Sequence, residues 1–265
     1  MNGSDAFSPF GPSRFAGLAD ERAGAGVSAV ICVRNGARYL ETALASVYRS
    51  TVQPREVLIL DGNSSDDTCA IAARFPLVRI ISQRSRGIPG AYNEAVENAV
   101  GEFIAFLSHD DYWLPGKLDR HLAVMRENPA LDYTTSLVEH FLDEGAIAPE
   151  GFRTELLGRG VPGSLMEALV VRPRAFAKIG GFDPRFTAGE DTDWFARAKD
   201  SGLPTSLIPE VLVRKRVHGS NYSINAGDLN RHLLRALRQS IARKRDMPIA
   251  NVPADSESSR KMRLL

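Results

Sequence analysis

Apolar residues along this chain gather in short blocks divided by polar and glycine-rich junctions, and the blocks alternate between two periods. Val27 to Val33, Glu56 to Leu60, Leu77 to Ser82 and Phe103 to Leu107 are rich in β-branched and large apolar residues, the composition of strands covered on both faces. Between them apolar positions recur at helical spacing: Leu40, Ala43, Leu44 and Val47, then Ala70, Ile71 and Phe75, then the stretch Ala91 to Val100. Strands alternating with helices across short junctions predict an α/β fold with a mostly parallel central sheet flanked by helices on both faces.

The second half is less regular. A helix is expected from Lys117 to Glu127, a strand from Asp132 to Phe141, a long loop from Ala146 to Gly163, and an apolar stretch from Ser164 to Val171. A short helix from Arg174 to Ile179 should stop at Gly180-Gly181. Glu190-Asp191 opens a helix with Trp194, Phe195 and Ala198 inward, and Glu210 to Val217 reads as a last strand ending at His218-Gly219-Ser220-Asn221. Leu229, Leu233, Leu237 and Ile241 form an apolar stripe on a helix with six basic residues largely off it. That stripe should pack on the domain or on a second copy, with a peripheral membrane contact as the alternative. The expected divisions are a flexible leader over 1–26, one domain over 27–225, the basic amphipathic helix over 226–247 and a flexible tail over 248–265.

Right-handed crossovers between parallel strands would bring Asn35, Asp61, Arg86 and Asp110 to one sheet edge, where open α/β sheets bind ligands. Phe103 to Leu107 runs almost directly into Asp110-Asp111. Two adjacent carboxylates there either open a turn and cap the next helix, or hold a hard divalent cation, Mg²⁺ or Mn²⁺, which in turn suits a diphosphate. His218 reads as a surface histidine or as a ligand, and Asp191 as a helix cap or as a base. At a helix N-terminus the dipole should favour the ionised form of Glu190 and Asp191.

A net charge of +1 over 265 residues gives no global field for nucleic acid, and two cysteines make neither a disulfide framework nor a zinc site. No apolar run approaches the ~20 residues of a membrane span, so the expected location is cytoplasmic, with peripheral contact at the inner membrane face left open.

The ordered set Val30-Ile31-Cys32-Val33-Arg34-Asn35-Gly36, Asp61-Gly62-Asn63-Ser64-Ser65-Asp66-Asp67-Thr68, Ser108-His109-Asp110-Asp111, Gly180-Gly181-Phe182-Asp183 and Glu190-Asp191 resembles the family 2 glycosyltransferases, which have the Rossmann-like GT-A fold. The resemblance implies a metal-dependent, inverting transfer of sugar from a nucleotide-diphosphate sugar to an acceptor hydroxyl. It gives Cys32, Val33, Arg34, Asn35, Asp61 and Arg86 to the nucleotide, Asp110 and Asp111 to ribose and metal, and Asp110 with His218 to Mn²⁺ or Mg²⁺. Asp191 becomes the base, with Glu190 second. Arg214, Lys215 and Arg216 would lead a cation toward the diphosphate. Ser108 stands where the usual motif has its first Asp, and Val33-Arg34 where it has Thr-Tyr. A glycoside hydrolase using Asp110 and Asp191, or a silent nucleotide-sugar binding module, are the competing expectations.

Overall fold

The computed structural model describes residues 11, 12, 14, 15, 26–221 and 226–246, with side chains 231–245 in its last helix. Strands β1 (Val27–Val33), β2 (Glu56–Asp61), β3 (Val78–Ser82) and β4 (Phe103–Phe106) lie parallel in the order β3-β2-β1-β4. Helices α1 (Ala37–Tyr48), α2 (Thr68–Ala72) and α3 (Gly87–Asn98) make the connections between them. The sheet then changes character. Beyond β4 stand β8 (Val170–Val171), β6 (Tyr133–Phe141), β9 (Thr205–Arg216) and β5 (Tyr112–Trp113), with β7 (Gly160–Pro162) on β6. β8 runs antiparallel to both its neighbours while β6 and β9 are parallel, so the sheet is mixed, with its longer pairings parallel as the sequence led one to expect. Helices α4 (Lys117–Glu127), α5 (Pro173–Ile179), α6 (Glu190–Asp200) and α7 (Ala226–Asp246) complete the fold.

Alternation along β1 divides the core in two. Ala29, Ile31 and Val33 are buried with Leu40 and Leu44 of α1 and with Leu118 and Leu122 of α4. Val30 joins Leu58, Ile104 and Phe106 under Ala95 and Val96 of α3, Phe176 of α5 and Trp194 of α6. Each such side chain contributes roughly 1.5–3 kcal/mol on leaving water, which fixes the register of the strands and so the order of their ends.

Three boundaries differ from the sequence expectation for identifiable reasons. β9 starts at Thr205 instead of Glu210, because the strand passes Pro209 through an irregularity in which Ser136 pairs with Ile208 and Leu137 with Val211. The Ala146 to Gly163 loop contains a 3₁₀ turn at Thr154–Leu156 as well as β7. The leader is not wholly loose: Phe15 is fully buried with its ring centroid 5.9 Å from that of Phe176, and Arg14 pairs with Glu97 on α3. A lone Phe among Gly, Ser and Pro carries no period by which its burial could be read. The tail expected over 248–265 lies outside the described residues.

The last helix docks by a face other than its apolar stripe. α7 docks through His232 and Ala236, both buried, and through Ser240 and Arg243, which reach Asp200 at 2.9 Å each. Of the expected partners for the stripe, the domain, a second copy or a membrane surface, the domain is not the one it meets: Leu233, Leu237 and Ile241 are 37%, 56% and 44% exposed. A carboxylate on α6 has selected the polar face of the helix. Leu229 lies outside the described side chains. Among the described residues no helix is long and apolar enough to cross a membrane.

Candidate active site

Val33 and Asp61 are paired across β1 and β2, and Asp61 pairs with Ser82 of β3, so these strands end level. Asp61 is buried, and its carboxylate accepts the Ser64 N–H at 3.1 and 3.3 Å, which leaves lone pairs toward the edge. The loop that follows is laced to the end of β1. Asn35, in the left-handed region at φ 53°, donates its N–H to Ser64 Oγ at 2.9 Å and accepts the Ser65 N–H on its own side-chain oxygen at 2.8 Å. Gly36 N–H donates to Thr68 Oγ1 at 2.8 Å and Ala37 N–H to Asp66 at 3.1 Å. Asn35 therefore builds the rim. Arg34 is exposed beside it, and Arg86 is exposed at the start of α3. Val33 keeps its side chain in the core, so only its main chain can meet a ligand. Cys32 packs half-buried against the second core cluster, where burial and then the charges of Glu94 and Glu190 push its thiol up and make it inert.

The Asp pair separates in role. The Asp111 carboxylate is fully enclosed: Lys215 Nζ donates to one oxygen at 2.9 Å and the Arg216 N–H to the other at 2.7 Å. It anchors β9 to the loop after β4, with both of its carboxylate oxygens already accepting hydrogen bonds. Asp110 turns outward. His218 Nε2 lies 3.0 Å and Asn221 Nδ2 3.1 Å from its Oδ2, and His218 Nδ1 sits 2.8 Å from Ser220 Oγ. Residues 108 positions apart in sequence thus meet at one carboxylate oxygen.

An oxygen and an imidazole nitrogen at this separation are a suitable donor set for Mn²⁺ or Mg²⁺, but they supply only two protein ligands. Among the described residues no group of three or more His, Cys, Asp or Glu side chains is placed to hold an ion. The arrangement fits an ion whose remaining positions are filled by phosphate oxygens and water.

The three basic residues before His218 do not lead a free cation inward. Arg214 bonds Tyr112 Oη and Glu139, each at 2.8 Å, and Arg216 reaches Asp143 with its guanidinium 4.7 Å from the Tyr39 ring centroid. Arg216 is buried and also donates to Asp110 O at 2.9 Å, and Lys215 bridges Asp111 and Glu167, the latter at 3.1 Å. Burial alone would lower its proton affinity, but Asp111, Glu167 and Asp110 outweigh that and hold it protonated well above the usual range. Trp113 is core, donating to Phe106 O at 3.3 Å.

Glu167 was not anticipated. It sits on a 3₁₀ turn (Met166–Ala168), buried, bonded to Ser108 Oγ and to Lys215. Its charge acts on Asp111 and on both carboxylates at the start of α6, so the Asp110-Asp111 loop and the Glu190-Asp191 turn share one electrostatic field. The dipole expectation fails there. Burial first, then the Asp191 charge, pushes Glu190 up; burial first, then the Glu167 charge, pushes Asp191 up. Glu190 Oε2 is buried without a hydrogen-bond partner among the described residues, which also favours the neutral acid.

α6 is held in place by the Gly180-Gly181-Phe182-Asp183 turn. Asn93 of α3 clasps Phe182, donating to its O and accepting its N–H, both at 2.8 Å. Gly181 permits this, since a Cβ there would lie 2.1 Å from Asn93 Oδ1 and 2.6 Å from the Phe15 ring. Asp183 in turn caps its own turn through Arg185 N–H at 2.9 Å.

Comparison with known proteins agrees with this geometry. The family described as glycosyl transferase family 2 matches residues 28–176. Chondroitin synthase of Escherichia coli is 28% identical over 225 residues, 82% of this chain but 33% of that protein, so the chain spans a third of its length. The structure of Staphylococcus aureus TarS 1–349 in complex with UDP-GlcNAc superposes with a TM-score of 0.65 at 18% identity, covering 89% of this chain and 69% of that one. The mannosyltransferase PcManGT from Pyrobaculum calidifontis, in complex with GDP-Man and Mn²⁺, gives 0.63 at 18% identity, covering 84% and 65%. The chain belongs to glycosyl transferase family 2 and carries its GT-A fold.

Proposed function

We propose that the protein transfers a sugar, with inversion at the anomeric carbon, from a nucleotide-diphosphate sugar to an acceptor hydroxyl. The observation that carries this reading is the meeting of Asp110 with His218 and Asn221 at the sheet edge, in the same field as the Glu190-Asp191 carboxylate pair on α6. The rim made by Arg34, Asn35 and Asp61 offers main-chain groups and one carboxylate to a base and ribose. Asp110 and His218 would hold Mn²⁺ or Mg²⁺, which when bound stabilises charge on the departing diphosphate. Asp191 takes the proton from the attacking hydroxyl. Its raised proton affinity suits that task better than an ordinary surface carboxylate, since a base works best when its pKa lies near the working pH. Glu190, its Oε2 without a hydrogen-bond partner among the described residues and its pKa pushed up further, stays neutral beside it and spares Asp191 a second charge.

The test is release of nucleoside diphosphate from a panel of nucleotide sugars with Mn²⁺ and glycan acceptors. Asp191→Asn should lower turnover by roughly 10²- to 10⁴-fold while nucleoside diphosphate binding is retained. Undiminished turnover in that variant removes the base assignment. Cleavage of an aryl glycoside, with no diphosphate released from any donor, replaces the transferase reading by a hydrolase.

A further inference from the structure

The outward face of α7 is both apolar and basic. Leu233, Leu234, Leu237 and Ile241 are 37–56% exposed and cover about 12 Å of helix length. Between Arg231 and Arg245 the sequence carries six basic residues and no acidic one. Asp200 accounts for two of them, Arg243 at 2.8 Å and Lys244 at 3.6 Å, and Arg235 donates to Arg185 O. Arg238 and Arg245 are exposed, and among the described residues they have no ion-pair partner. At 100° per residue both fall on one flank of the leucine stripe, on the side away from the docked face of His232, Ala236 and Arg243.

We propose that this face of α7 seats the protein on an anionic phospholipid bilayer, with the four aliphatic side chains in the acyl boundary and Arg238 and Arg245 at the headgroups. Two features favour lipid over a second copy of the chain. A stable interface takes ~800 Å² from each partner, whereas four half-exposed side chains offer on the order of a few hundred. In a symmetric pair of these helices Arg238 and Arg245 would also face a surface richer in basic than in acidic residues, since the helix has only Asp228 and Asp246, at its two ends, against six basic residues between Arg231 and Arg245. Anionic headgroups meet both terms, because amphipathic helices bind through buried apolar area together with basic residues at the surface. The docked face stays engaged with α6 throughout, so seating needs no rearrangement of the domain.

Co-sedimentation of the full chain with phosphatidylcholine vesicles, with and without phosphatidylglycerol, tests this. Binding should require the anionic lipid and weaken as salt is raised. Leu237→Gln/Ile241→Gln and, separately, Arg238→Glu/Arg245→Glu should each lower the partition coefficient about tenfold or more, with unchanged thermal unfolding because all four positions are exposed. No binding to anionic vesicles, or binding by either variant equal to that of the parent chain, overturns the proposal. Light scattering that shows a dimer in the parent chain and a monomer in Leu237→Gln/Ile241→Gln also overturns it, in favour of a second copy.

Discussion

Glu190 shows most directly how a single environment sets chemistry at this site. A helix N-terminus stabilises a carboxylate by 0.3–1 kcal/mol at an exposed site, but enclosure and a neighbouring charge cost more than that. Its folded proton affinity is therefore raised above the unfolded value near 4.3, so the folded state binds more protons than the unfolded one as pH climbs from that value through the folded pKa. Stability must fall across that window. Glu190→Gln removes the cost while keeping the shape: urea unfolding at pH 4.5 should show little difference from the parent, and at pH 8 the variant should be more stable, by on the order of 2 kcal/mol. A difference that does not change with pH would mean the carboxyl is not perturbed. The Glu190-Asp191 pair was legible from its place before an apolar helical run, as were Asp110 and His218. Glu167 was not, because one acid inside Ser164 to Val171 looks like an interruption of an apolar segment until Lys215, 48 residues on, is seen beside it. The available signal was that a carboxylate within a buried segment must have a partner. The split between Asp110 and Asp111 was not legible for the converse reason: adjacent residues point to opposite sides, and sequence does not say which is enclosed by Lys215 and Arg216.

Among the elements, the turn between α5 and α6 bears the tightest constraint. It has to deliver the start of α6 to the cleft, and it does so by lying against α3 with no room for a side chain at Gly181. Gly181→Ala would drive a methyl into Asn93, whose two bonds to Phe182 would then break or shift, and into the buried Phe15 ring. Overpacking of this kind typically costs 1–3 kcal/mol, and the expected result is a lowered urea midpoint together with loss of transfer. Gly180→Ala is no control, since Gly180 has φ 80° and is strained by any side chain; Gly116→Ala, where a Cβ would meet only the Arg120 side chain at 3.8 Å, is. Retained stability in Gly181→Ala would show that the clasp can yield. Helices and strands with a clean period were readable at this scale: α1, α4 and the first four strands fall within a few residues of expectation. α7 was readable as a helix yet not in its orientation, because hydrophobicity places the stripe inward while Asp200, invisible from the helix's own sequence, holds the opposite face down.

At the scale of the whole molecule, the first four strands were legible, and of the other half of the sheet only β6 and most of β9. β7 and β8 are three and two residues long, and strands that short exist only through partners far off in sequence. The site draws on both halves. Asp61 and Asp110 come from the ends of β2 and β4, whereas His218 and Asn221 arrive on the end of β9, and in the unfolded chain none of these groups are near one another. A ligand that needs all of them binds the folded state alone and must raise its stability. The two-residue donor set makes that linkage specific: an ion lacking phosphate oxygens is undercoordinated at Asp110 and His218, so Mn²⁺ by itself should leave the unfolding midpoint where it is. Nucleoside diphosphate by itself should raise it slightly through the Asp61 rim. The two together, at about 100-fold above their joint dissociation constant, should contribute ~2.7 kcal/mol, or roughly 5–11 °C for a chain of this length. Asp110→Asn should abolish the increment due to the ion while sparing the part due to the nucleotide. His218→Ala should do the same to a lesser degree, since Asp110 retains the charge. A midpoint raised equally by Mn²⁺ without nucleotide would place the ion at some other set of ligands, and a nucleotide response indifferent to Mn²⁺ in the parent chain would leave Asp110 and His218 joined by their hydrogen bond alone.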